Sequence, residues 1–114
     1  AADFVESDSR VAGVIKRNIA ELSVANAKVL RTTVERFVRV PPPQPYDLVF
    51  LDPPYALDAD EVTALVAALT VPAWRAHDSV LVVERSTRDP YAWPEGVCGI
   101  RDKAYGETHL WYGR

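Results

Sequence analysis

Asp52-Pro53-Pro54-Tyr55 is the segment of this chain whose residue types best suit chemistry. It follows Tyr-Asp-Leu-Val-Phe-Leu at 46–51, a short apolar run typical of a buried strand. Two successive prolines have no N–H to give to a ladder, so the chain must leave the sheet at Asp52 in a stiff, extended turn. A carboxylate, two carbonyls and an aromatic ring are then held at the carboxyl end of one strand, the edge where open α/β sheets bind ligands. Group transfer to an exocyclic amine requires its lone pair to be freed from conjugation with the ring. The Asp52 carboxylate and the Pro53 carbonyl can accept the amine's hydrogens, and they stabilise the positive charge that develops on nitrogen more than the neutral amine. Tyr55 offers a face for a purine, a stacking worth roughly 1–3 kcal/mol per base. An Asp-Pro turn beside a core tyrosine is the plainer account. The position between an apolar strand and a capped helix favours the chemical one.

Glu6 is the second candidate. An acidic residue at a strand tip, just before a helix, is how dinucleotide-type folds grip ribose hydroxyls, and a carboxylate can accept from both members of a cis-diol. Glu6, Ser7 and Asp8 serve equally well as a solubilising turn with Asp8 as helix cap. His77 and His109 lack partners at ligand spacing in the sequence, and Cys98 has no nearby activating residue, which suits an inert strand position. Trp74, Trp93 and Trp111 read as covers for core edges, with Trp93 the one placed to touch a base. Arg85, Arg88, Arg101 and Lys103 fit a solvated face better than a phosphate patch.

The elements that must position these residues follow from periodicity. Phe4-Val5-Glu6 ends a first strand. A helix over 9–22 carries Val11, Ile15, Ile19 and Leu22 on one side. Residues 28–33 form a second strand and 34–38 a helical turn. Pro41-Pro42-Pro43-Gln44-Pro45 is a stiff spacer within one domain. Residues 46–51 are the third strand. Asp58 and Glu61 open a helix over 59–69 with the stripe Val62, Leu65, Val66, Leu69. Residues 79–84 are a fourth strand, and two more strands flank a turn at Tyr105-Gly106. This order predicts one domain over 1–114, an α/β sheet with an antiparallel edge.

Composition narrows the classes. The 114 residues are enough for one core, and no apolar run approaches the roughly 20 residues of a membrane span. The single cysteine excludes an internal disulfide and a cysteine-based zinc site, and points to a cytoplasmic protein with no metal. A formal charge of −3 does not favour nucleic-acid binding through net charge, so such binding would rest on a local patch.

The Asp-Pro-Pro-Tyr tetrapeptide resembles motif IV of S-adenosyl-L-methionine-dependent amino-methyltransferases. Phe4-Val5-Glu6-Ser7-Asp8 with Asn18, then Val82-Val83-Glu84, then Lys103-Ala104-Tyr105-Gly106-Glu107-Thr108, together resemble the RsmD family of bacterial 16S rRNA (guanine-N2) methyltransferases. The likeness runs across essentially the whole chain. It implies a class I, Rossmann-like methyltransferase sheet with an antiparallel carboxy-terminal hairpin. It also implies S-adenosyl-L-methionine as cofactor, and 16S rRNA or a small-subunit assembly particle as partner, with no membrane and no implied oligomer. On the same ground Glu6 would hold the donor's ribose, Ser7 would lie against its adenine, and Thr33 and Val34 would border the adenine edge. Thr33 stands where family members often have Asp or Asn. Asp52 and Pro53, followed by Pro54, would orient the guanine N2 amine at the donor's methyl, and Tyr55 would stack on a flipped base. The family's glycine-rich donor loop has no counterpart: Gly13, Gly96, Gly99, Gly106 and Gly113 form no Gly-x-Gly. The chain therefore reads as starting just before the family's second strand, with two sheet edges left unpaired and an inactive piece as the expected result. Adenine-N6 methylation of DNA or RNA, and a non-catalytic binding module, are the alternatives.

Overall fold

Among the described residues, every helix starts where a side chain can accept from its first free amides. Asp8 Oδ1 accepts from the amides of Arg10 at 2.8 Å and Val11 at 3.2 Å, opening α1 (Ser9–Glu21). Thr33 Oγ1 accepts from Arg36 at 3.2 Å and opens the short α2 (Val34–Phe37). Asp58 Oδ1 accepts from Glu61 at 2.8 Å and opens α3 (Ala59–Ala68). Each such cap contributes about 1 kcal/mol. The computed structural model describes residues 1–54 and 56–114, which form two compact units, Ala1–Val40 and Pro41–Arg114. The proline run, expected as an internal spacer, begins the second unit.

In the first unit β1 (Ala2–Val5) pairs in parallel with β2 (Ala27–Leu30), from Ala2↔Ala27 to Val5↔Leu30, with α1 as the crossover. The helix turns differently from the expected stripe. Ala12 is buried and Ile15 and Ile19 are half-buried, whereas Val11 and Leu22 are exposed. A two-stranded sheet offers a narrow platform, so only the line 12, 15, 19 faces inward. Helix α1 closes with Ser23 at φ 53°, the Val24 amide donating to Ile19 and the Ser23 amide to Ala20, the pattern of a Schellman cap. Strand β2 stops at Leu30, short of the expected Thr33, because the Thr32 amide turns back onto the Leu30 carbonyl and Thr33 is needed as a cap.

The second unit is a four-stranded sheet ordered β3-β4-β6-β5. Strand β3 (Tyr46–Leu51) runs parallel to β4 (Arg75–Ser86), with α3 between them in sequence. Strand β4 runs antiparallel to β6 (Thr108–Gly113), which pairs with β5 (Gly99–Tyr105) in a hairpin. Gly106 at φ 61° occupies the first central turn position, where glycine suits the twist of the flanking strands. Strand β4 begins earlier than expected because an irregularity lies inside it. The register jumps from Tyr46↔Arg75 to Leu48↔Val80, with Asp78 at φ 63° in between.

Alternation sorts the sheet residues onto two faces. Val62 and Val66 of α3 cluster with Leu81, Val83, Tyr91 and Val97, flanked by Val49, Leu51, Leu57, Trp93 and Trp111. On the other face of β3, Leu48 is 62% and Phe50 56% exposed. Trp74 is buried and stacks with Tyr46. The parallel α/β elements and closing hairpin match the expected order, but the strands fall into two sheets. Strands β1 and β3 each carry one edge that no strand pairs among the described residues. No helix is long and apolar enough to cross a membrane among the described residues.

Candidate functional site

The parallel register places Leu51 opposite Val83, so Asp52, just past the carboxyl end of β3, and Glu84 of β4 follow side by side. Their side chains are hydrogen-bonded to each other. That bond, then partial burial, then the Asp52 charge raise the Glu84 carboxyl above its ordinary range. Asp52 itself is exposed. Beyond Glu84, Leu110 and then Lys103 continue the same row across the sheet.

Behind Asp52 the chain is tied down by Arg85. This side chain is 2% exposed and donates from Nη1 to the Pro54 carbonyl at 3.3 Å and from Nη2 to the Leu57 carbonyl at 2.7 Å. The Leu57 amide also donates to the Pro54 carbonyl at 3.0 Å, closing the turn. The Pro53 carbonyl takes part in none of these bonds. Of the predicted site, Asp52, Pro53 and Pro54 are therefore together at one strand end. The stacking role expected of Tyr55 lies outside the described residues.

Glu6, Ser7, Thr33 and Val34 belong to the first unit. Glu6 extends the β1–β2 pairing by one bond, its amide donating to the Leu30 carbonyl at 3.1 Å, so Glu6 and the Thr33–Val34 start of α2 lie at one end of that parallel pair. Glu6 Oε2 accepts from the Asp8 amide at 3.0 Å, which leaves Oε1 as an open acceptor among the described residues. The Thr33 hydroxyl is committed to its helix. Half-buried Glu6 thus fits a diol in part, with one oxygen shared by the turn.

Sequence reasoning missed three things. Arg85, assigned to an exposed face, is buried under the loop it holds. Glu84 contacts Asp52, which the pairing of two neighbouring strand ends could have revealed. His109, read as unpartnered, lies 2.6 Å from Asp102 and stacks on Trp111 with ring centroids 4.3 Å apart. That pair is diagonal across the hairpin and depends on its register. Cys98 is exposed and precedes β5 rather than lying in it, with backbone bonds to Arg114. Trp93 packs edge-on against Tyr91 at 5.1 Å, a structural contact. Burial pushes the Tyr91 hydroxyl's pKa up, and this hydroxyl has no partner among the described residues.

Comparison with known proteins adds an independent line. The chain is 25% identical over 92 residues to ribosomal RNA small subunit methyltransferase D of Buchnera aphidicola, covering 81% of this chain and 47% of that protein. The chain thus spans about half the length of this curated relative. A solved structure from Streptococcus pyogenes, described as a conserved hypothetical protein, superposes with a TM-score of 0.86 at 26% identity, covering 99% of this chain and 70% of the other. A Haemophilus influenzae protein whose structure was solved under the name methylase HI0767 superposes with a TM-score of 0.80 at 26% identity, covering 97% of this chain and 70% of the other. The family model described as Conserved hypothetical protein 95 matches residues 1–114, and with the Asp52 strand end and the α/β order above, the chain belongs to this family of RsmD-like methyltransferases.

Proposed function

We propose that this chain carries the amine-positioning part of an S-adenosyl-L-methionine-dependent methyltransferase acting on the N2 amine of a guanine in 16S rRNA. The observation that carries the reading is Asp52. It is an exposed carboxylate fixed at the end of a parallel strand, beside a Pro53 carbonyl that no loop bond among the described residues uses, in a chain of this family. Two acceptors at one strand end can take both hydrogens of an exocyclic amine. Drawing those hydrogens away from the ring plane localises the nitrogen lone pair, and the charge of Asp52 favours the cationic transition state. Bound at Glu6 and Ser7, with Thr33 and Val34 at its adenine edge, S-adenosyl-L-methionine supplies the electrophilic methyl. Glu6 Oε1 is the acceptor left for a ribose hydroxyl. Tyr55, next after the two prolines, is the stacking face for a base turned out of its helix. We read the two units as parts of one methyltransferase domain, because a single family model spans both. The protein is assigned to the cytoplasm, with 16S rRNA or a small-subunit assembly particle as its partner.

The test is methyl transfer from labelled donor to undermethylated small-subunit RNA by the intact protein, followed by digestion to nucleosides. Label in N2-methylguanosine is the expected result. Label in N6-methyladenosine would move the assignment to adenine. Donor binding without transfer to any nucleic acid would reduce the chain to a binding module.

A further inference from the structure

Arg85 has a chemistry that stability does not explain. Its guanidinium is almost wholly buried in β4, and no carboxylate lies within ion-pair distance among the described residues. Burying a charge without a counter-ion is costly, and an apolar side chain of similar volume would fill the space without that cost. What the guanidinium supplies is a rigid planar fork of donors. It spends that fork on two backbone carbonyls three residues apart, those of Pro54 and Leu57, and on no side chain among the described residues.

The first of these carbonyls controls more than itself. Pro54 has its φ locked by the pyrrolidine ring, so the angle between the Pro53 and Pro54 carbonyls depends on one free torsion. With the chain anchored upstream by the pairing of Leu51 with Val83, a donor that holds the Pro54 carbonyl leaves the Pro53 carbonyl little freedom to turn. The neighbouring residue of β4 acts on the other side of the same segment, since Glu84 bonds the Asp52 side chain. Consecutive residues of one strand thus hold the two amine acceptors from opposite faces of the sheet, one through a side chain and one through the backbone.

We propose that Arg85 is a positioning residue for methyl transfer: by holding the Pro54 and Leu57 carbonyls it sets the Pro53 carbonyl at the angle to Asp52 that the target amine requires. The proposal rests on the amine-transfer reading above. It assigns to Arg85 control of the amine and none of the donor.

Substitution in the intact protein tests this with two readouts. R85M keeps the apolar volume and removes every donor. Amide exchange followed by NMR should show the Leu57 amide exchanging about tenfold faster or more in R85M, the cost of losing hydrogen bonds from a charged group. The Leu81–Val83 amides of the strand should keep their wild-type rates. The turnover of methyl transfer should fall about 100-fold, the scale of an ångström-sized misplacement, with donor Kd within about twofold of wild type. R85K retains the charge but replaces the fork by a point donor, and should fall between R85M and wild type in both readouts. Unchanged Leu57 exchange in a folded R85M, or equal losses of turnover and donor affinity, overturns the proposal. Should R85M fail to fold, R85K decides alone: wild-type turnover and exchange in that variant overturn the need for a fork. If the wild-type protein methylates no nucleic acid, the functional reading fails by itself, while Leu57 exchange still shows whether Arg85 holds the loop.

Discussion

Glu84 and Asp52 share a hydrogen bond across two parallel strands, so the exposed carboxylate that marks this site has beside it an acid that holds its proton more tightly than a free one. The sharing matters because two bare carboxylates at hydrogen-bond distance repel each other. A proton held on Glu84 relieves that repulsion and leaves lone pairs on Asp52 for an incoming amine.

Stability should therefore depend on pH through Glu84. The folded protein raises this group above its ordinary value near 4.5. Its contribution is fully present below that value and is lost as pH rises through the raised one, where the folded state must give up a proton it holds more tightly than the unfolded chain does. E84Q donates to Asp52 at every pH. Denaturant unfolding from pH 4 toward neutrality should show wild-type stability falling relative to E84Q. Parallel profiles would mean that Glu84 does not hold the shared proton.

Asp52 should matter to turnover far more than to donor affinity. Removing one preorganised partner of developing charge costs about 100-fold or more in comparable sites. D52A in the intact protein is expected to lose at least that in kcat, with donor Kd little changed. An equal loss in both would place Asp52 in the donor site, and no loss would remove it from the site altogether.

The parts legible in the sequence are those set by local chemistry. The bounds of β3, the capped start of α3, the hairpin at Gly106 and the exit at Asp52 each depend on a few adjacent residues, and each stands where it was read. What escaped depends on pairing. The two-stranded platform under α1 decides that Ala12 rather than Val11 faces inward. Arg85 is charged, and charge in a strand ordinarily signals solvent. Only the carbonyls left by a donor-poor proline turn explain its burial. The Asp102–His109 pair needs the β5–β6 register before it exists at all.

Two glycines should respond to alanine with opposite signs. A Cβ on Gly113 would lie 2.8 Å from both Trp93 Cζ2 and Val97 Cγ1, inside van der Waals contact. Neither neighbour is free to retreat, so G113A should cost about 1–3 kcal/mol. Gly13 lies within α1, where a Cβ meets nothing within 4 Å. G13A should stabilise by roughly 0.5–1 kcal/mol through the lost flexibility of the unfolded chain. Denaturant unfolding of the two variants checks both, and a stabilising G113A would refute the close packing of Trp93 against the β6 backbone.

Glu6 can be separated from its own turn. Its Oε2 holds the Asp8 amide just ahead of the helix, so some loss of stability is expected from E6A whatever else it does. A structural role predicts that loss alone. A ribose role predicts in addition a donor Kd weaker by about tenfold or more, the scale of a lost hydrogen bond to a charged group. E6Q sharpens the distinction, because its amide oxygen can still accept from Asp8 while the carboxylate charge is gone. With the turn restored, E6Q should unfold like wild type yet bind the donor less tightly. If E6Q and E6A both bind the donor with wild-type affinity, Glu6 serves only the turn, and the ribose must be held elsewhere.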